Sequence, residues 1–173
     1  MTKKGVLQVE DDKNDVFLLK NVFAQVGITN PLHVVTDGQM AIDYLSGKGQ
    51  FADRQKYPLP CLVLTDLKLP KKSGLEVLGW IRHQPHLKRL VVVVFSSSVL
   101  RQDVDLAYDL GANAYIQKVD NLDRLKEIAH LFKGWWLGHN LFASIAEPRR
   151  ADLVNKIPVR CRGLNDSSTA ALM

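Results

Sequence analysis

The stretch CLVLTDLKLP, at residues 61–70, decides the fold. Its first five residues are almost entirely apolar and do not alternate, which is typical of a strand buried on both faces. Asp66 follows at once, and Ser73 and Glu76 then have the spacing of a capping box that opens a helix. A doubly buried strand followed directly by a helix indicates a parallel sheet with helices on both sides.

The same alternation of strand and helix occurs five times along the chain. Apolar runs lie at residues 6–9, 32–35, 61–65, 90–95 and 114–116, each ahead of a helical pattern. Because each parallel crossover needs a connecting helix, we predict an α/β protein of the flavodoxin-like class. The expected architecture is a doubly wound five-stranded parallel sheet, with strand order 2-1-3-4-5 and five helices.

Short polar residues and glycines mark the ends of the expected helices. The predicted end signals are Asp12 (with Asp15) and Gly27 for the first helix, Thr36 and Gln39 for the start of the second, Gly111 for the end of the fourth and Asp120 for the start of the fifth. The last helix has an apolar stripe formed by Leu125, Ile128, Ala129, Phe132 and Trp136. These signals predict where each helix begins and ends.

Length and composition favour one globular domain with a C-terminal extension. The chain has 173 residues, of which 46% are hydrophobic and 24% charged, so a sizeable core needs no disulfide or metal. We expect the domain at residues 1–138 and a partly disordered extension at 139–173, which is too short for an ordinary output domain. Four apolar residues near the junction could be core or a dimer contact: Trp135, Trp136, Leu141 and Phe142.

Charge and cysteine usage argue against several classes of function. The net charge is +5, but residues 139–173 hold five of the 23 basic residues and three of the 18 acidic ones, so the positive charge is spread. Without basic and aromatic interleaving, nucleic acid is not the expected partner. Cys61 and Cys161 match no metal or redox spacing, and Cys61 is predicted to be a buried thiol. With no signal peptide or membrane segment, we expect a soluble cytoplasmic protein.

Residues that carry chemistry follow the expected strands. Glu10, Asp11 and Asp12 follow the first strand, Asp66 the third, Ser96, Ser97 and Ser98 the fourth, and Lys118 the fifth. In such folds ligands bind beyond the carboxyl ends of the strands. Crowded carboxylates suit Mg²⁺, which prefers oxygen ligands, and lysine and hydroxyl groups suit phosphate oxygens. Together these residues indicate a phosphoryl-transfer site.

The sequence resembles the receiver domains of bacterial response regulators. The matching segments are VLQVED at residues 6–11, LVLTDLKLP at 62–70 continuing as KKSGLEVL, VVFS at 93–96 and YIQK at 115–118. The likeness covers about residues 4–137. Within the family, the loop at residues 47–60 and the sequence DLKLPKKSGLEVL are similar to those of the small stand-alone regulators associated with cyanobacterial-type phytochromes.

The resemblance implies a role for each matching position. Asp66 is the phosphoacceptor, and Mg²⁺ is held by Asp11, Asp66 and the main-chain carbonyl of Lys68, with Glu10 acting through water. Lys118 and Ser96 bind the phosphoryl group, Tyr115 is the switch aromatic residue, and Ser97 and Ser98 border the site. The implied partners are a sensor histidine kinase, such as a bacterial phytochrome, and a second copy of the chain through helix four, strand five and helix five. No enzymatic activity is implied beyond loss of its own phosphate, and Asp12 is left as a helix cap.

One departure and three alternatives stay open at the level of sequence. Val119 stands where most receivers have proline, so whether the bond before it is cis is undecided. The chain could be a phosphatase of the haloacid type, although Lys68 occupies the position of that class's second aspartate. It could be a pseudo-receiver that only binds proteins, or a regulator whose basic tail contacts DNA.

Overall fold

The computed structural model describes residues 4–145. β1 spans Val6–Val9, β2 Leu32–Val35, β3 Leu62–Thr65, β4 Val91–Ser96 and β5 Ala114–Gln117. α1 spans Lys13–Gln25, α2 Gly38–Ser46, α3 Gly74–His83, α4 Arg101–Asp109 and α5 Leu122–Leu131, and a π-helical segment at Phe132–His139 continues α5. Strands and helices alternate as the five apolar runs predicted.

The five strands form one parallel sheet in the order β2-β1-β3-β4-β5, which confirms the predicted topology. β1 lies between β2 and β3, with Val6 opposite Leu32 on one side and Leu62 on the other. Parallel pairing of β3 with β4 and of β4 with β5 completes the sheet. All carboxyl ends of the strands therefore lie at one edge.

Helices cover both faces of the sheet, and each face has its own apolar core. In β1, Val6 packs with α1 and α5, whereas Leu7 packs with α2 and α3. The same division occurs in β3, where Leu62 and Leu64 face α1 and α5, and Val63 faces the other layer. These five side chains are at most 1% exposed. Burial on both faces explains why the apolar runs lack alternation.

The second helix begins differently from the prediction. The expected capping box of Thr36 and Gln39 is wrong, because Asp37 caps α2 and accepts a hydrogen bond from the Met40 N–H at 2.7 Å. The Thr36 hydroxyl instead contacts the Met40 sulfur at 3.6 Å. Aspartate is a better N-cap than threonine, so the helix begins at the stronger cap one residue later.

The fifth helix also begins one residue later than expected. Asp120 is not its cap; Asn121 accepts hydrogen bonds from the main-chain N–H groups of Asp123 and Arg124 at 2.9 and 3.1 Å. Asp and Asn are equivalent caps, so adjacent residues of these types cannot be ranked from sequence. The path of the chain after β5 selects Asn121.

The other predicted helix ends are confirmed. Asp12 caps α1, accepting a hydrogen bond from the Asn14 N–H at 2.7 Å. Ser73 and Glu76 form a complete capping box at α3. Gly27 and Gly111 lie just beyond α1 and α4 with φ of +73° and +90°, the left-handed conformation that glycine adopts without strain.

The segment after α2 is held against the body of the domain. Arg54 donates hydrogen bonds to the main-chain carbonyls of Tyr44 and Leu45 at 2.6 and 2.8 Å, which satisfies the open end of α2. The rings of Phe51 and Tyr57 pack on Tyr44, with centroids 5.2 and 6.0 Å away. The predicted loop at residues 47–60 is therefore ordered by its own side chains.

The four apolar residues near the junction divide between core and surface. Trp136 and Phe142 pack against the core under α1 and α5, whereas Trp135 is 67% exposed and Leu141 is 95% exposed. Residues 146–173, which include most of the expected extension and Cys161, lie outside the described residues.

Cys61 is buried, as predicted, and burial raises the pKa of its thiol to about 11. This thiol is therefore uncharged at neutral pH and packs as a small apolar group. Within residues 4–145, no helix is both long enough and apolar enough to cross a bilayer.

Candidate functional site

Four of the predicted site residues meet at the carboxyl edge of the sheet. Glu10 follows β1, Asp66 follows β3, Ser96 ends β4 and Lys118 follows β5. Each residue lies within one position of its strand end, so the parallel topology alone brings them together.

Asp66 is the centre of this cluster, and its side chain is only 11% exposed. Its Oδ1 accepts hydrogen bonds from the Leu67 N–H and from the Ser96 hydroxyl, the latter at 2.6 Å. Its Oδ2 accepts a hydrogen bond from Lys118 Nζ at 2.7 Å. Groups from three neighbouring strands therefore fix the orientation of this carboxylate.

Lys118 binds three carboxylates at once. Its Nζ lies 2.6 Å from Glu10 Oε2, 2.7 Å from Asp15 Oδ2 and 2.7 Å from Asp66 Oδ2. Burial lowers the pKa of Lys118, but the hydrogen bonds to Asp15, Asp66 and Glu10 outweigh it, so the pKa lies above its usual value. Lys118 is therefore charged at neutral pH, and its three N–H donors have three acceptors.

Asp15 is a site residue that the sequence analysis missed. It lies in the first turn of α1, where it was interpreted only as support for the helix start. A signal was present: α1 begins at the carboxyl edge of β1, so an acidic residue in its first turn lies close to the strand ends. The contact with Lys118 needs the positions of both α1 and β5, which local spacing does not contain.

Glu10 is the most buried acid in contact with Lys118, with a side chain 3% exposed. Burial raises the pKa of Glu10 above its usual value, and the hydrogen bond and charge of Lys118 offset only part of that rise. The cation on Lys118 is therefore what allows a carboxylate to persist at this depth.

The cluster opens into a cleft of about 430 Å³. Its charged lining consists of Glu10, Asp11, Asp12, Asp15, Asp66, Lys118 and Asp120, with Ser97 also at the wall. When ionised, six carboxylates and one ammonium give these side chains a net charge of −5. A cleft of this charge attracts cations and repels an anionic donor unless a cation is present.

The donor set suits a hard divalent cation. Mg²⁺ takes one or two carboxylates, completes its shell with waters and other oxygens, and accepts phosphate oxygens. Asp11 lies exposed at the cleft, and the Lys68 N–H is 3.4 Å from Asp66 Oδ1, which places the following loop beside the acids. Across residues 4–145, no three acidic, His or Cys side chains are grouped as a metal site by themselves. Three of the carboxylates contact Lys118 instead, so main-chain and water oxygens would be needed to complete the coordination shell of a cation.

The loop between β3 and α3 is attached to the start of α2. Lys71, at φ +63°, places its Nζ 2.7 Å from Asp37 Oδ2, and the Gly38 N–H donates a hydrogen bond to the Pro70 carbonyl at 3.3 Å. Burial raises the pKa of Asp37, but the hydrogen bond from Lys71 and those from the helix main chain outweigh it and hold the pKa below its usual value. The loop that carries the Lys68 carbonyl is therefore held at a second point away from Asp66.

Tyr115 lies beside the cluster and contacts the loop after β4. Its hydroxyl donates a hydrogen bond to the Ser98 main-chain carbonyl at 2.9 Å. The Ser98 hydroxyl donates to Asp103 Oδ2 at 2.6 Å, so this side chain points to α4, whereas Ser97 lines the cleft. The peptide bond before Val119, left open in the sequence analysis, is trans.

The fold and the site together define a class of protein. The response regulator receiver is a 2-1-3-4-5 parallel sheet whose carboxyl edge holds an acidic pair, an aspartate, a serine and a lysine. Residues 6–130 match the family model described as a response regulator receiver domain. The chain belongs to this family.

The relatives place the chain near a particular group of receivers. Response regulator Rcp1 of Synechocystis sp. is 38% identical over 134 residues, which cover 78% of this chain and 89% of Rcp1. The structure of the phosphorylated cyanobacterial phytochrome response regulator RcpA has a TM-score of 0.75 and 38% identity, covering 82% of this chain and 99% of RcpA. The Mn²⁺-bound form of Rcp1 has a TM-score of 0.73 and 36% identity, with the same coverage. The chain is thus similar to phytochrome response regulators, as its sequence indicated.

Proposed function

We propose that Asp66 accepts a phosphoryl group from a sensor histidine kinase. The observation that carries this proposal is the Asp66 carboxylate held between Ser96 and Lys118 at an acidic cleft. In the transfer, an Asp66 oxygen forms a bond to phosphorus while the bond from phosphorus to the kinase histidine nitrogen breaks, and that nitrogen keeps the electron pair. Lys118 then neutralises charge on the phosphoryl oxygens.

Mg²⁺ is the proposed cofactor of this site. Asp11, Asp66 and the main-chain carbonyl of Lys68 would hold it, and Glu10 would act through a water molecule. When bound, the ion supplies positive charge in a cleft of net charge −5 and orients phosphoryl oxygens. The Mn²⁺-bound form of Rcp1 supports binding of a divalent cation.

The proposed partner is a bacterial phytochrome with histidine kinase activity, because RcpA is a cyanobacterial phytochrome response regulator. On phosphorylation, Ser96 bonds the phosphoryl group, and Tyr115 leaves the Ser98 carbonyl and turns inward. The surface of α4, β5 and α5 then repacks and changes the protein's interactions. A local change of charge thereby selects one of two arrangements of that surface.

Asp66→Asn is expected to abolish labelling by a small acyl phosphate such as acetyl phosphate. In the presence of Mg²⁺, the wild type should gain one acid-stable, hydroxylamine-sensitive phosphate per chain, and the variant none, because the amide lacks the nucleophilic carboxylate. Intact-mass spectrometry measures the gain. Asp109→Asn, on the exposed side of α4, should label like the wild type.

Labelling of Asp66→Asn at the wild-type rate would remove Asp66 from the mechanism. A folded wild type that takes up no phosphate would favour the alternative of a pseudo-receiver that only binds proteins. The alternative of DNA contact by the basic tail concerns residues outside the described range.

We further propose that phosphorylation favours a homodimer through α4, β5 and α5. Apolar side chains are exposed on this side of the molecule, including Leu106 (46%), Tyr108 (50%) and Leu122 (45%). Adding beryllofluoride with Mg²⁺, as a phosphoryl mimic, is expected to tighten dimerisation roughly tenfold, within the usual range of coupling free energies. Sedimentation velocity over a concentration series measures this, and a monomer under both conditions would contradict it.

A further inference from the structure

We propose that Asp15 is a positioning residue that competes with the incoming phosphoryl group for the Lys118 ammonium. This inference rests on the proposed function of Asp66 and concerns how the same site is regulated. It assigns a role to a carboxylate of α1 that is bonded to a residue following β5.

The first step of the argument is a count of donors on Lys118. An ammonium group has three N–H donors. Glu10, Asp15 and Asp66 accept from Lys118 at 2.6, 2.7 and 2.7 Å. A phosphoryl oxygen can therefore gain a full hydrogen bond from Lys118 only if one of these carboxylates gives up its place.

The second step identifies the carboxylate that leaves. The side chains of Glu10 and Asp66 are 3% and 11% exposed, whereas that of Asp15 is 37% exposed. A buried carboxylate that loses its cation has no water to replace it, but an exposed one is solvated at once. Until its bond to phosphorus forms, Asp66 is still a carboxylate and keeps its contact with Lys118, so Asp15 is the partner released during uptake.

The consequence is a resting site in which Asp15 holds Lys118 and slows phosphoryl uptake. A hydrogen bond to an ionised acceptor is roughly twice as strong as one to a neutral acceptor. Asp15→Asn weakens the competing contact without removing the side chain. We expect it to accelerate labelling about fivefold at saturating Mg²⁺, because a contact at a partly exposed site is of modest strength.

The experiment compares the full-length wild type with three variants under acetyl phosphate and saturating Mg²⁺. Asp15→Glu keeps the charge and can still reach Lys118, so it should restore a rate within about twofold of the wild type. Asp12→Asn removes the same charge from the same cleft but leaves the contacts of Lys118 in place. Asparagine is an equally good helix cap, so this variant separates cleft charge from the contact with Lys118.

A second measurement does not depend on phosphoryl transfer. The apparent Kd for beryllofluoride, followed by ¹⁹F NMR at saturating Mg²⁺, should be about fivefold lower for Asp15→Asn than for the wild type. Thermal midpoints of all variants report whether the fold is intact.

Faster uptake and tighter beryllofluoride binding for Asp15→Asn, with Asp15→Glu and Asp12→Asn within twofold of the wild type, support the proposal. It is overturned if a folded Asp15→Asn labels no faster than the wild type, or if Asp12→Asn accelerates labelling equally. If the wild type neither labels nor binds beryllofluoride, the proposed function itself fails and the inference falls with it.

Discussion

Gly74→Ala is expected to lower the free energy of unfolding by about 3 kcal/mol, at the upper end of the cost of overpacking. Gly74 is the first residue of α3, and its N–H donates a hydrogen bond to the Leu67 carbonyl at 3.0 Å. A Cβ at this position would overlap the main-chain carbonyl oxygen of Asp66 and lie 3.0 Å from the Thr65 hydroxyl. Both obstacles belong to the end of a buried strand, so the strand or the helix must shift.

The same shift would displace the Asp66 carboxylate, so phosphoryl labelling should also be lost. Urea denaturation and labelling with acetyl phosphate measure the two effects. The matched control is Gly79→Ala in the same helix, where a Cβ meets only Leu110 Cδ2 at 4.0 Å. That variant should be more stable by about 0.5–1 kcal/mol, because alanine favours a helix over glycine. A Gly74→Ala protein as stable and active as the wild type would contradict the prediction, because it would show that the end of β3 can shift at little cost.

Lys118→Met is expected to lower the free energy of unfolding by about 3 kcal/mol without divalent cation, and to slow labelling about 100-fold. Methionine keeps the apolar stem but removes the ammonium, which leaves Glu10 and Asp66 buried without a positive partner. The phosphoryl group would also lose its lysine. Adding Mg²⁺ should restore much of the stability, because a cation returns to the same carboxylates.

Urea denaturation in EDTA and in Mg²⁺, together with labelling rates, tests this expectation. Lys126→Met is the control, because Lys126 pairs with the exposed Asp123 at 3.5 Å on α5 and such pairs contribute little. If Lys118→Met is as stable as the wild type in EDTA, then Glu10 does not depend on Lys118 for its charge.

Most of the candidate site could be predicted because its residues stand at fixed positions relative to strands. Glu10, Asp66, Ser96 and Lys118 each lie at the end of an apolar run, and a parallel sheet brings such ends to one edge. Their proximity was therefore predictable from local pattern. Asp15 was missed because its partner follows a strand at the other end of the chain.

The exact residue at which a helix starts also depends in part on tertiary contacts that the sequence does not show. Ser73 with Glu76 is a reciprocal capping box, so the sequence alone specifies the start of α3. At α2 and α5, a second residue of suitable type stood next to the predicted cap, and the actual cap was Asp37 or Asn121. Local preference differs little between such neighbours, so packing of the helix on the sheet selects one.

The sequence by itself determined the fold class, the strand order and the edge at which the chemistry lies, because apolar periodicity and parallel connection rules leave few other arrangements. Only the tertiary structure decided which carboxylates each lysine contacts. Lys118 binds Glu10, Asp15 and Asp66 together, and Lys71 joins the β3–α3 loop to Asp37. Such contacts depend on distances of a few ångströms between elements that are remote in the chain, and no spacing in the sequence records them.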